Sequence, residues 1–220
     1  QCKVEDVMEY RLAKRSDIDA VYTLIKAAIV QMEADGIYQW DDIYPTKEDF
    51  INDIEKESLY LAIDSKKLVA IYVISKEADA AYKNAKWQYS DDSAYILHRF
   101  CVSPDYQSKG IGKEVLAHVE VQIHEVGYET VRLDVFTENP YAQKLYRKSG
   151  YQVRGYADWR KGRFDLMEKK KEYEKLGRIL SKYFNVSILL DWDLQLQYKS
   201  SPIEGGKEYF EKLLKQRVVL

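Results

Sequence analysis

The chain is poor in cysteine, proline and histidine, with 2 Cys, 4 Pro and 3 His among 220 residues. Two cysteines, Cys2 and Cys101, cannot form a disulfide framework, and a reducing cytoplasm is the simpler expectation. Cys-x-x-Cys is absent, and His98, His118 and His124 lack zinc-ligand spacing, so no metal is expected. Long apolar runs are missing too. The longest, Leu68 to Ile74, falls far short of the roughly 20 residues a membrane helix needs. No basic-then-apolar stretch resembling a secretory signal opens the chain. Gln1 rather than Met stands first, so the native start is expected to be missing or altered. An excess of one charge is also lacking. Against 36 acidic residues stand 34 basic ones, and a net charge of −2 gives no reason to expect a nucleic-acid or membrane partner.

What is present is the composition of an ordinary globular protein, 32% charged and 46% hydrophobic. Tyrosine dominates the aromatics, 19 against 6 Phe and 4 Trp, which hints at polar-lined clefts. Ser16 and Asp19 look like a helix start. Ile18, Val21, Leu24, Ile25, Ala28, Ile29 and Met32 then recur at helical spacing up to Gly36. Thr46 to Asp49 starts a second helix. Leu59–Ile63 and Leu68–Ile74 read as a hairpin, and Lys76 to Asp92 as a long polar loop. Tyr95–Val102 and Val131–Phe136 read as strands, Gly110–Val126 and Pro140–Lys148 as helices. Tyr151–Tyr156 and Phe164–Met167 read as the last two strands, with Tyr156, Asp158, Trp159 and Arg160 in the connecting loop. This order implies an α/β fold, a mixed sheet packed between helices.

After Glu168 the pattern changes. Residues 170–220 read as a helix-strand-strand-helix appendage, below the size that usually folds alone. A dimerisation arm, a lid and a stabilising cap are its three readings. The main domain is expected to span residues 1–169.

Two segments carry chemistry. Val102-Ser103-Pro104-Asp105-Tyr106-Gln107-Ser108-Lys109-Gly110-Ile111-Gly112-Lys113 joins a strand to a helix. Two glycines allow close backbone approach, and a helix start offers unpaired N–H groups and a positive dipole end. Gln107 to Lys113 is therefore a candidate pyrophosphate cradle, or else a tight turn without a ligand. It matches neither GxxxxGK[ST] nor GxGxxG. In the second segment, Asn139-Pro140-Tyr141-Ala142-Gln143-Lys144-Leu145-Tyr146-Arg147-Lys148-Ser149-Gly150-Tyr151, Asn139 suits a helix cap, and Ala142 and Tyr146 share a face.

With both segments in this order, residues 4 to 169 resemble the GNAT superfamily of acyl-CoA-dependent N-acetyltransferases. The resemblance implies a mostly antiparallel mixed sheet flanked by helices and the use of acetyl-CoA. It implies that Cys101 and Val102 hold the pantetheine arm through their backbone. Gln107, Ser108, Lys109, Gly110, Ile111, Gly112 and Lys113 would hold the pyrophosphate. Asn139 and Ala142 would line the arm, and Tyr146 would protonate the departing sulfur. Lys148 is a weaker candidate at the nucleotide end.

His98, on the strand leading into this site, is a candidate base or simply a structural histidine. Cys101 reads as a buried strand residue, not a nucleophile, and His118 and His124 as solvated. Trp40 and Tyr44, with Asp41 and Asp42, either border an acceptor pocket or pin a loop. The expected activity is acetyl transfer to a primary amine, on a small molecule or alternatively a protein N-terminus. The rivals are a silent CoA-binding sensor or assembly module, and a peptide-binding module built on the appendage. A homodimer through the appendage is the expected assembly.

Overall fold

The computed structural model describes residues 8–170. The expected appendage at 170–220 lies outside them apart from Lys170, as does Cys2. Seven strands form one sheet in the order β1-β2-β3-β4-β5-β7-β6. They are β1 (Glu9–Leu12), β2 (Leu59–Asp64), β3 (Lys67–Ser75), β4 (Ala94–Val102), β5 (Thr130–Phe136), β6 (Gln152–Trp159) and β7 (Gly162–Lys170). Only β4 and β5 are parallel; every other pair is antiparallel. The helices are α1 (Ile18–Ala34), α2 (Lys47–Glu55), α3 (Ile111–Glu125) and α4 (Pro140–Lys148). The expected mixed, mostly antiparallel sheet flanked by helices is what the chain forms.

Strand alternation decides which helix covers which face. Ala70, Tyr72 and Ile74 of β3 and Val131, Leu133 and Val135 of β5 pack with α3 residues Val115, Leu116, Val119 and Ile123 and with Tyr146 of α4. Leu59, Leu61, Ile71 and Val73 point the other way, onto α1 residues Val21, Leu24, Ile25, Ala28 and Ile29 and onto Phe50 of α2. Both faces of β3 are buried, which is why its sequence is continuously apolar rather than alternating.

Local signals agree with most expected boundaries. Thr46 and Asp49 form a reciprocal capping box at α2, and Ser65 and Lys66 take positive φ in the tight turn of the β2–β3 hairpin. Three expectations are corrected. Ser16 is not a cap, because a short 3-10 turn over Arg15–Asp17 precedes α1. Its Asp17 carboxylate forms an ion pair with Arg11 and accepts the Lys14 N–H. Tyr156, Asp158 and Trp159 belong to β6, and β7 continues past Glu168 to Lys170. His118 is not solvated, since its ring stacks on Tyr10 with centroids 3.5 Å apart.

The segment from Lys76 to Ser93 is not a free loop. It folds over the part of the α1 and α2 face of the sheet that those helices do not reach. There Tyr82 packs with Ile96, Leu166, Ala157 and Trp87. The fit is backbone on backbone at Gly155, where a Cβ would lie 2.6 Å from Ala85 Cα. Beneath it Glu168, 1% exposed, accepts from Arg132 Nε and Arg154 Nε at 3.2 Å each and from the Gln88 N–H at 3.0 Å. Arg132 also donates to the Tyr89 carbonyl at 2.7 Å and lies over the Trp87 ring. Replacing Glu168 by Ala leaves two guanidinium groups without their buried carboxylate. Equilibrium urea unfolding followed by tryptophan fluorescence is expected to show a loss of about 3–5 kcal/mol.

Candidate active site

The parallel pairing of β4 and β5 runs from Ala94 with Thr130 to Leu97 with Leu133 and then stops. Beyond it β4 stays with β3, Cys101 opposite Ile71 and Val102 opposite Ala70. β5 stays with β7, Asp134 opposite Leu166 and Phe136 opposite Phe164. A wedge therefore opens between His98–Val102 and Asp134–Phe136, and the backbone groups that face it have no partner on the opposite strand. Buried groups of this kind need a partner.

Alternation along β4 identifies which groups face the wedge. The Ser103 N–H donates to the Val69 carbonyl at 2.8 Å. Two residues back, Cys101 therefore also directs its N–H and C=O at β3, while Val102 directs its own into the wedge. The backbone groups of Cys101 are therefore engaged with β3 and are turned away from the wedge. The Val102 carbonyl already accepts from Gln107 Nε2 at 3.0 Å, so Gln107 braces the strand end. A bulge just before this point, where Arg99 has φ +47, turns the strand.

At the wedge's open end Gly110 caps α3 with φ +88, a conformation that favours glycine. The Ile111 and Gly112 N–H groups at the helix start have no acceptor among the described residues. A Cβ at Gly112 would meet only ordinary contacts, Leu145 Cδ2 at 3.5 Å and Val102 Cγ2 at 3.7 Å. The fold itself thus tolerates a larger residue there; a ligand lying on the helix start would not. Ser108, with φ +61, and Lys109 complete the exposed turn, where Lys109 Nζ donates to the Asp105 carbonyl at 2.6 Å. Lys113 is exposed on the first turn of α3.

Three side chains converge on the wedge from different elements. Tyr146 of α4 is 7% exposed, its ring edge against Tyr151. Burial first, then Asp134 and Cys101, hold its hydroxyl well above the usual tyrosine range, so it stays protonated. Asp134 stands on the opposite face of β5, and its carboxyl is pushed up to about 6. Desolvation is the main cause, opposed by a hydrogen bond from Tyr82 Oη to Oδ2 at 3.0 Å. The Cys101 thiol is pushed up to about 12 by burial alone.

Other expected site residues are engaged elsewhere. Asn139 Oδ1 caps α4 by accepting the Ala142 N–H at 3.0 Å, and its Nδ2 donates to Gln39 Oε1 at 3.0 Å. Its side chain is a brace rather than a free lining group, and Ala142 packs in the core below it. His98, beside the wedge on β4, has a buried Nε2 without a hydrogen-bond partner. Burial, then Arg99, push its imidazole down to about 4, so it is neutral near pH 7 and a weak base. Trp40 is 8% exposed within the α1 core, which makes it a pin for its loop and not a pocket wall. Tyr44 does reach the site's edge, its hydroxyl accepting from Arg99 Nε at 3.1 Å. Arg99 also forms an ion pair with Asp53, tying α2 to the β4 bulge. Asp41 is taken by Arg160 at 2.7 and 2.8 Å, and Asp42 by Lys26 at 2.5 Å. Both acids are thus engaged in ion pairs.

The family model for the acetyltransferase (GNAT) family matches residues 23–151. The chain belongs to the GNAT acetyltransferase family. Among GNAT relatives, the protein named uncharacterized N-acetyltransferase YesJ of Bacillus subtilis (strain 168) is 25% identical over 144 residues, covering 63% of this chain and 78% of YesJ. The spermine/spermidine N(1)-acetyltransferase of the same strain is 32% identical over 93 residues. That match covers 41% of this chain and only 55% of the relative. A GNAT structure from Streptococcus agalactiae 2603 shares the fold with a TM-score of 0.67 at 24% identity, over 75% of this chain and 96% of that one.

Asp134, Tyr82 and Arg99 were missed from sequence. The available signal was Asp134 itself, the lone acid in the strand that follows α3. The Cys101 environment generates a direct test. In the native protein at pH 8, iodoacetamide is expected to leave Cys101 unmodified in peptide mass maps, and to label it fully once denaturant is added. Rapid native labelling would contradict the burial of this thiol.

Proposed function

We propose that this GNAT domain moves the acetyl group of acetyl-CoA to the primary amine of a small molecule by direct attack. The observation that carries the reading is the wedge, which brings unpaired strand groups, an always-protonated tyrosine and a carboxyl pushed up to about 6 to one place. The residues fit acetyl-CoA. Ser108 to Lys113 offer backbone N–H groups, room at Gly112 and local positive charge to a pyrophosphate. Phe100 and Val102 offer strand groups to the pantetheine arm. When bound, acetyl-CoA supplies the activated acetyl group as a thioester.

Each residue then has a defined task. Backbone N–H groups along β4 stabilise negative charge developing on the carbonyl oxygen. Asp134, on the acceptor side of the sheet, takes a proton from the amine as the N–C bond forms. Tyr146, on the other side, donates its proton to the sulfur as the C–S bond breaks. The products are an N-acetylated amine and a free thiol. Tyr44 and the Arg99–Asp53 pair fix the acceptor-side wall. Linear polyamines are the first acceptors to test, because one relative carries a spermine/spermidine name and Asp134 suits a cationic amine.

Acetyl-CoA-dependent thiol release across a panel of primary amines, beside a thermal-shift titration with CoA, tests the reading. Turnover on one amine class with a clear CoA shift is the expected result. Absence of both would overturn it. Tyr146→Phe is expected to lower kcat at least tenfold while CoA affinity stays within about twofold, the usual size of one lost proton donor. Unchanged turnover would remove Tyr146 from the mechanism.

A further inference from the structure

Asp134 is held by a part of the chain that the reaction outlined above does not use. The segment between β3 and β4 carries a short 3-10 turn, Ala80–Asn84, capped by the Asp79 side chain on the Ala81 N–H at 2.8 Å. Tyr82 lies in this turn and is 3% exposed. Its ring is fixed by Trp87, whose Nε1 donates to the Tyr82 carbonyl at 2.9 Å. The turn itself is seated against Gly155, and the Lys86 N–H donates to the Arg154 carbonyl at 2.9 Å. A phenol fixed this firmly directs its proton at one atom, Asp134 Oδ2. The carboxyl also receives a hydrogen bond from its own backbone.

We infer that Tyr82 is a positioning residue for the acetyl-transfer site: its hydroxyl fixes the orientation of Asp134 and sets how readily that carboxyl takes the amine's proton. The inference rests on the reading of Asp134 as proton acceptor. Three side chains act on Asp134 from the elements around it: Tyr82 and Asp79 of the β3–β4 segment and Arg99 of β4. Asp134 in turn raises the proton affinity of the Tyr146 and Tyr44 hydroxyls, which face it from α4 and from the α1–α2 connection. Among them Tyr82 has a direct hydrogen bond to the carboxylate. A donor to the ionised form favours ionisation, so removing it raises the carboxyl's proton affinity.

The test compares wild type, Tyr82→Phe and Asp134→Asn in two ways. One is kcat against pH at saturating acetyl-CoA and the best amine of the panel. The other is a 13C NMR titration of the Asp134 carboxyl, recognised by its absence in Asp134→Asn. Tyr82→Phe keeps the ring and its packing, so the fold is retained. The expected result is an acid limb and an NMR midpoint about one pH unit higher in Tyr82→Phe. That corresponds to a several-fold loss of turnover near pH 6 that recovers above pH 8. Asp134→Asn is expected to lose at least a hundredfold at every pH. An unmoved limb and midpoint in Tyr82→Phe, with Asp134→Asn inactive, would overturn the role of Tyr82 alone. Asp134→Asn with a normal rate and limb would overturn the assignment of Asp134 itself.

Discussion

The parting of β4 from β5 after Leu97 and Leu133 is the constraint on which the rest depends. A sheet interior is the worst place to leave backbone hydrogen-bonding groups unmatched. The chain tolerates the wedge because each side is secured by its other neighbour, β3 for β4 and β7 for β5. The bulge at Arg99 bends β4 away, and its side chain is locked to Asp53 of α2 and to the Tyr44 hydroxyl. A strand that turns outward here has its direction fixed from outside the sheet.

The wedge also explains how groups on opposite faces come to act together. Tyr146 rises from α4 beneath the sheet, and Asp134 projects above it. In a continuous sheet a layer of backbone would separate them. Here Asp134 helps to hold the Tyr146 proton in place. One is a donor that stays protonated and the other a carboxyl poised near neutrality. Opposed proton affinities at one opening suit the acyl transfer proposed above. The buried Arg132, Glu168 and Arg154 cluster has a different task. It holds the β3–β4 segment on the sheet, and so holds Tyr82 against Asp134.

Much of this was legible in the residues. The helical stripe Ile18 to Met32, the Thr46 capping box and the apolar run of β3 are local patterns, and local patterns dictate local structure. The two glycines before α3 and the Asn139-Pro140 start of α4 marked two helix starts, because their spacing is itself the constraint. The acceptor side was not legible. Trp40, Asp41 and Asp42 have residue types suited to an amine pocket, yet packing claims the first and ion pairs claim the others. Which amides of β4 face the wedge is revealed only by the alternation of its pairing with β3. Tyr82 lies 52 positions from Asp134, in a stretch with no period of its own, so the fold alone brings them together.

Hydrogen exchange with and without acetyl-CoA tests the wedge as the binding place most directly. Slower exchange confined to the outer half of β4, residues 98–102, the turn at 108–113 and β5 residues 134–136 is the expected result. Protection that spares these amides while appearing elsewhere, or no protection at saturating acetyl-CoA, would contradict it.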